Sequence, residues 1–151
     1  DLLYAKTSNV AASTSPVTLS FKHVMSKLTI RLVKGEDFEG EMPTDAEIFI
    51  HNTVPTATFD FSAGIVTRDV KGKRATIKAR QESNFQFGAI IVPQRLDNRV
   101  PLVEVIMKGV SYLFESKFLF KPGVEHLVNL VITDNPEQVK IEVGGEIENW
   151  Q

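Results

Sequence analysis

Short runs of alternating apolar and polar residues, broken every ten or so positions by turn residues, recur along most of the chain. Period-two alternation places successive side chains on opposite faces of a strand, so the pattern predicts strands half-buried against a core. Val17, Leu19 and Phe21 begin it, and Leu28, Ile30 and Leu32 resume it. Between these runs Phe21, Val24, Met25, Leu28 and Leu32 also fit helical spacing, with no Gly or Pro from Phe21 to Lys34. Strand is the better reading, with a bulge over Val24 to Lys27. Thr29-Ile30-Arg31-Leu32-Val33 is β-rich, and a helix would turn Ile30 and Val33 off its apolar face.

Gly35 to Pro43 reads as an acidic loop; then Ala46, Ile48 and Ile50 alternate, followed by Ala57, Phe59 and Phe61. Ser62-Ala63-Gly64 marks a turn, and Lys71-Gly72-Lys73 is the expected tip of a hairpin leading into Ala75, Ile77 and Ala79. Phe85 to Val92 is nearly continuous apolar sequence ending at Pro93, as a central strand covered on both faces would be. Leu102 to Met107 and Tyr112 to Phe120 form a strand pair across Lys108-Gly109. Lys121-Pro122-Gly123 is a turn before a strand from His126 to Thr133. After a break at Asp134-Asn135-Pro136-Glu137, Val139, Ile141 and Val143 alternate, and Gly144-Gly145 offers the positive φ angles of a two-residue hairpin loop. The fold class is therefore all-β, a sandwich of about seven or more strands. Its expected core contains Phe21, Leu28, Ile30, Ile48, Phe59, Ile77, Phe87, Ile91, Val105, Phe120, Leu130 and Ile141.

A length of 151 residues suits one domain, and 42% hydrophobic residues suffice for a core. The 17 basic and 19 acidic residues leave a net charge of −2, so no overall field draws the chain to nucleic acid or anionic lipid. Cysteine is absent, which excludes disulfides, thiolate nucleophiles and Cys-ligated metals. No apolar run approaches the length of a helical membrane span.

Candidate chemistry is sparse. His23, His51 and His126 are the only imidazoles, and none lies at the i, i+4 spacing of a helical zinc site. Each reads more readily as a partly buried strand residue. No Gly-x-Ser-x-Gly elbow is present, and Gly144-Gly145 lacks the helix and Lys of a phosphate-binding loop. Glu36, Asp37, Glu39 and Glu41 could supply paired carboxylates or calcium ligands, but among Gly35, Gly40 and Pro43 they read as a solvated loop without EF-hand spacing. Arg68, Lys71, Lys73, Arg74, Lys78 and Arg80 form one basic cluster. Asp69 interrupts it and no aromatics interleave, so it fits a hairpin that blocks edge-to-edge aggregation better than a nucleic-acid ribbon. These residues give no catalytic, cofactor or metal site, and no nucleic-acid partner.

The order of strand signatures resembles the fimbrillin family of Gram-negative anaerobes, of the minor-fimbrillin-like type. The stretches that carry it are Asp1-Leu2-Leu3-Tyr4-Ala5, Leu19-Ser20-Phe21-Lys22-His23-Val24-Met25-Ser26-Lys27-Leu28, Thr58-Phe59-Asp60 with Gly64, and Ile91-Val92-Pro93-Gln94. Phe120-Lys121-Pro122-Gly123 with Asn129-Leu130, and Ile147 with Trp150, complete the set. Phe-x-His-x-x-Ser-Lys-Leu is the most distinctive.

The resemblance implies transthyretin-like Greek-key sandwich domains and a non-enzymatic shaft or tip subunit of a cell-surface fimbria. It also implies export as an outer-membrane lipoprotein whose lipid anchor lies outside this sequence. Its partners would be other fimbrial subunits, joined by β-strand exchange, with host or bacterial surface ligands also possible. On this view residues 1–15 are a strand end and linker following a first domain, and residues 16–151 are the second. Asp1 to Ala5 and Val139 to Trp150 are the expected exchange segments, although Trp150 could equally plug its own core. A surface carbohydrate- or ligand-binding sandwich is the alternative, which would need an exposed aromatic row; Tyr4, Tyr112 and Trp150 are the only Tyr and Trp available.

Overall fold

The computed structural model describes residues 1–134, 140–148 and 150, and these form strands joined by turns and loops, with no helix. In chain order the strands are β1 (Leu3–Tyr4), β2 (Lys22–His23), β3 (Ser26–Lys34), β4 (Glu47–Thr53), β5 (Ala57–Asp60), β6 (Ile65–Arg68) and β7 (Ala75–Lys78). They continue with β8 (Arg80–Ser83), β9 (Gln86–Ile91), β10 (Gln94–Met107), β11 (Val110–Phe120), β12 (Val124–Ile132) and β13 (Lys140–Glu148).

Two sheets make the sandwich, one in the order β11-β10-β4-β7 and the other β13-β12-β3-β9-β8. Two small sheets, β1-β2 and β5-β6, stand apart from them. Pairing is antiparallel throughout except for β3 with β12, which run parallel from Lys27↔Glu125 to Lys34↔Ile132. The β10–β11 hairpin closes on Lys108 and Gly109, both at positive φ, the geometry of a two-residue turn that matches strand twist.

Alternation builds the core as expected. Leu28, Ile30 and Leu32 of β3, Ile48 and Ile50 of β4, Phe87 and Ile91 of β9, Val105 of β10, and Val128 and Leu130 of β12 are buried in one cluster between the sheets. Among the twelve expected core residues, Leu28, Ile30, Ile48, Phe87, Ile91, Val105, Phe120 and Leu130 are buried. Ile77 is partly buried against the cluster, and Phe59 is half-buried in the small β5-β6 sheet. Phe21 and Ile141 are corrections: Phe21 precedes β2 and belongs to neither large sheet, and Ile141 lies on the edge strand β13, so both are exposed.

The stretch from Lys22 to Lys34 is strand, broken at Val24 and Met25 within the expected bulge, while Phe21 just before it is not; β2 there pairs with β1 and β3 enters the large sheet. Phe85 to Val92 supplies β9, whose Phe87, Ala89 and Ile91 enter the core. Two turns are placed differently. Lys71-Gly72-Lys73 is not a hairpin tip, because β6 pairs with β5 while β7 pairs with β4. Gly72 instead lies so close beneath Val54 and Thr56 that a Cβ would meet the Val54 side chain at 2.4 Å. Gly144-Gly145 is not a loop but a bulge within β13, where the register skips between Leu127 and Val128. In the break at residues 134–137, and in the alternation from residue 139, Asn135, Pro136, Glu137 and Val139 lie outside the described residues.

Candidate assembly surface

A sandwich has two margins where the edges of its sheets face each other, and here they are built differently. At one margin β7 passes into β8 through a single residue, Ala79, which is buried and donates its amide to Ile48 O at 2.8 Å. The chain itself stitches the sheets together. β8, with sequence Arg80-Gln81-Glu82-Ser83, is short, polar and wholly exposed, so it offers a poor template to another strand. Glu82 folds back over Gly88, accepts from Gln86 Nε2 at 2.8 Å and pairs with Lys27 at 3.3 Å. The Gln86 amide, helped by Lys27, holds the Glu82 carboxyl below its usual range against the opposing effect of burial.

At the other margin β11 and β13 are the edges, eleven and nine residues long. The inward row of β11 is Tyr112, Phe114, Ser116 and Phe118, and all four remain half-exposed. Ser116 is the small residue between two Phe side chains, and it leaves a notch of about 90 Å³ whose walls include Leu28, Leu102, Val128 and Ile141. Val110, Leu113 and Leu119 of β11 and Ile141 and Ile147 of β13 are exposed. Leu113, Leu119 and Ile147 alternate to the outer faces, so the apolar groove between the two sheet edges is the short one at Phe114, Ser116, Phe118 and Ile141.

His126 sits beside one end of the groove, buried on β12 against Phe118 and Phe120. Its Nε2 accepts the Lys121 backbone N–H at 3.1 Å, which places the proton of the neutral ring on Nδ1, 3.6 Å from Glu146 Oε1. Burial pushes the imidazole pKa down, and the nearby Glu146 carboxylate opposes that only in part. Glu146 is itself held low, chiefly by its 2.8 Å hydrogen bond from Lys121 Nζ.

The other histidines lie elsewhere. His23 stacks on the buried Trp150 with ring centroids 4.0 Å apart, and its Nδ1 meets the Asp1 carboxylate. His51 lies on the outer face of the four-stranded sheet, with Nδ1 2.8 Å from Thr76 Oγ1 and Nε2 3.5 Å from Glu104. Among the described residues no three His, Asp or Glu side chains are grouped to hold an ion. In the acidic loop Lys34 Nζ donates to Gly40 O at 2.8 Å, and the Glu39 amide reaches the Asp134 carboxylate. The basic residues are spread over several strands and turns, with Lys78 paired to Glu47 at 2.8 Å. Tyr4 packs on Phe59 at 5.4 Å and Tyr112 packs against the core, so with Trp150 buried these three form no exposed aromatic row.

The sequence signatures acquire structural reasons. Gln94 is buried, and its amide bonds Val54 N at 2.9 Å, Val54 O at 3.0 Å and Val92 O at 3.0 Å, tying the end of β4 to the start of β10. Asp60 accepts the amides of Ser62 and Ala63, and Gly64, at positive φ, leaves room for the Tyr4 ring. Gly123 takes φ 69° and donates to Met25 O at 2.8 Å, with a Cβ excluded by His23 O at 2.9 Å.

These features define an all-β sandwich module that carries sheet edges and apolar side chains outward along one margin. The chain belongs to the Fimbrillin-like family, whose model matches residues 1–150. Its fold is similar to that of a proposed cell adhesion protein from Bacteroides ovatus, at 19% identity and a TM-score of 0.78 over 99% of this chain and 53% of that one. A proposed cell adhesion protein from Bacteroides uniformis is similar at 17% identity and a TM-score of 0.71, covering 87% of this chain and 53% of the other. A third, from Bacteroides thetaiotaomicron, reaches 18% identity and 0.57, covering 83% and 57%. The chain thus spans about half the length of these solved structures. No curated protein sequence matches it.

Proposed function

We propose that this chain is a structural subunit of a cell-surface fimbria, without enzymatic activity, and that it takes part in assembly by accepting a β-strand from a neighbouring subunit at the β11/β13 margin. The observation that carries this reading is the half-exposed aromatic row of β11 beside the Ser116 notch. A strand laid along a sheet edge gains backbone hydrogen bonds, and its alternate side chains fill the pockets beneath. Family membership supports the fimbrial role and an exported, outer-membrane location. The distribution of charge supports the choice of margin, because β8 is polar, charged and exposed while the inward row of β11 presents Phe114 and Phe118 beside Ser116.

The test is amide hydrogen exchange on assembled polymer against free subunit. Edge amides of β11 or β13 become protected on assembly, while those of β8 exchange as before. Polymers in which both β11 and β13 exchange as fast as in the free subunit overturn the strand-acceptor reading. Antibody labelling of intact producing cells checks the location, and labelling only after cell lysis contradicts it.

A further inference from the structure

The outer face of the four-stranded sheet carries a polar pocket that the strand-acceptor reading does not use. Two bulges make it. β4 carries one residue more than β7 between Ile50 and Thr53, and β10 carries one more than β11 between Pro101 and Val103. Bulges re-aim side chains, and here they border a pocket of about 340 Å³. Asn52 sits in the first bulge at φ 64°, a left-handed conformation that a residue other than glycine keeps only where its surroundings hold it. Its Nδ2 donates to Pro101 O at 2.6 Å, which ties one bulge to the other.

The functional groups around the pocket select its ligand. His51 Nε2 lies 3.5 Å from Glu104 Oε1, which favours the ring proton there, so Nδ1 accepts from the Thr76 hydroxyl at 2.8 Å. Ser111 Oγ donates to Glu104 Oε2 at 2.9 Å, and the carboxylate keeps further lone pairs. Asn52 Oδ1 and the Thr76 oxygen also keep lone pairs, with no other partner among the described residues. Walls this rich in acceptors are satisfied by a ligand with several hydroxyl donors. Arg74 is the exception, a guanidinium at the pocket wall with no carboxylate partner among the described residues. Its planar fork takes a carboxylate through two parallel hydrogen bonds. Ala75, Pro101 and Leu113 add a small apolar surface for the carbon face of a ring. We propose that this pocket binds a uronic acid, with the sugar carboxylate on Arg74 and the ring hydroxyls donating to Glu104, Thr76 and Asn52. A cationic sugar would meet Arg74, and a small inorganic anion would meet Glu104 without the hydroxyls that satisfy it. Hydrogen bonds and one ion pair hold the ligand, so no row of exposed aromatics is needed. The site faces away from the core and stands independently of the strand-acceptor reading.

The test is titration of the isotope-labelled chain with sodium D-glucuronate at constant ionic strength, followed by amide shifts in NMR spectra. The amides of Asn52, Thr76 and Glu104 shift and saturate. Glucose, which lacks the carboxylate, and acetate, which lacks the hydroxyls, each bind at least ten-fold more weakly. Arg74→Ala changes an exposed side chain, so it melts as the parent does while glucuronate binding weakens at least ten-fold. In Asn52→Gly the positive φ is kept at no steric cost and the side-chain acceptor is lost, so the variant folds and binds at least three-fold more weakly. Glucose or acetate binding as tightly as glucuronate overturns the proposal, and so does parental affinity in either variant. Absence of a saturable shift at these residues with glucuronate up to about 50 mM overturns it as well.

Discussion

Where β7 passes into β8, one buried alanine carries the chain from sheet to sheet; where β11 faces β13, Ser116 leaves a notch and aromatic side chains stay in partial contact with water. The first margin is continuous chain bordered by a charged strand four residues long. The second is two longer edges with an apolar floor between them. Both enclose the same core, and Phe87 and Phe114 point into it from opposite sides. The difference teaches that an edge can be protected by covalent continuity and charge, or left available by withholding a single side chain's volume.

Paired truncations give the largest expected effect. Phe87→Ala, on the stitched side, should lower stability by about 3–5 kcal/mol, read from urea denaturation midpoints. Phe114→Ala, already half-exposed, should cost about 1–2 kcal/mol, because less apolar area is removed from burial. Equal losses would mean that the β11 margin is as well packed as the other.

A smaller effect follows from His126. Its folded-state pKa is lowered by burial, so the unfolded state binds the proton more readily. Stability is then complete above the unfolded value of about 6.5 and falls as pH drops through and below it. The lowered pKa of Glu146 works in the same direction at lower pH, since protonating it in acid loses the Lys121 contact. Thermal melts between pH 7.5 and 5 should show the loss in the parent, and a His126→Leu variant should lack the component that sets in as pH falls below about 6.5. A parent whose melting temperature stays flat across that window contradicts this account of the groove's end. The smallest effect belongs to the groove mouth, where Arg99 and Glu115 lie 3.7 Å apart with both side chains well exposed. Removing this pair with Arg99→Ala should change stability by no more than about 0.5 kcal/mol.

What could be read from the chain depended on range. Local alternation identified β3, β4, β9 and β12 and most of their buried residues, because period two is imposed by each strand on its own. Partner choice was not legible in the same way. Lys71-Gly72-Lys73 carries the composition of a hairpin tip, yet which strands β6 and β7 join is decided by β5 and β4. Gly144-Gly145 is similar, since a positive φ serves a turn or a bulge alike and only the β12 register distinguishes them. Phe21 alternates faultlessly and is still exposed, because alternation says that one face is apolar without saying what will cover it. The groove was legible least of all. It depends on a serine between two phenylalanines, and a serine within a strand gives no signal until the opposite sheet is in place.

The parallel pairing of β3 with β12 has a mechanical consequence. Pulling on the chain from before Ser26 and from after Ile132 drags these two neighbours in opposite directions along their length. Their ladder, from Lys27↔Glu125 to Lys34↔Ile132, is then loaded in shear, with its hydrogen bonds sharing the force instead of opening one after another. The antiparallel β10–β11 hairpin, pulled at its two open ends, would unzip bond by bond. Under tension applied between those two points the centre of the larger sheet thus resists as a clamp, and the rate at which the clamp gives way sets how long the fold holds.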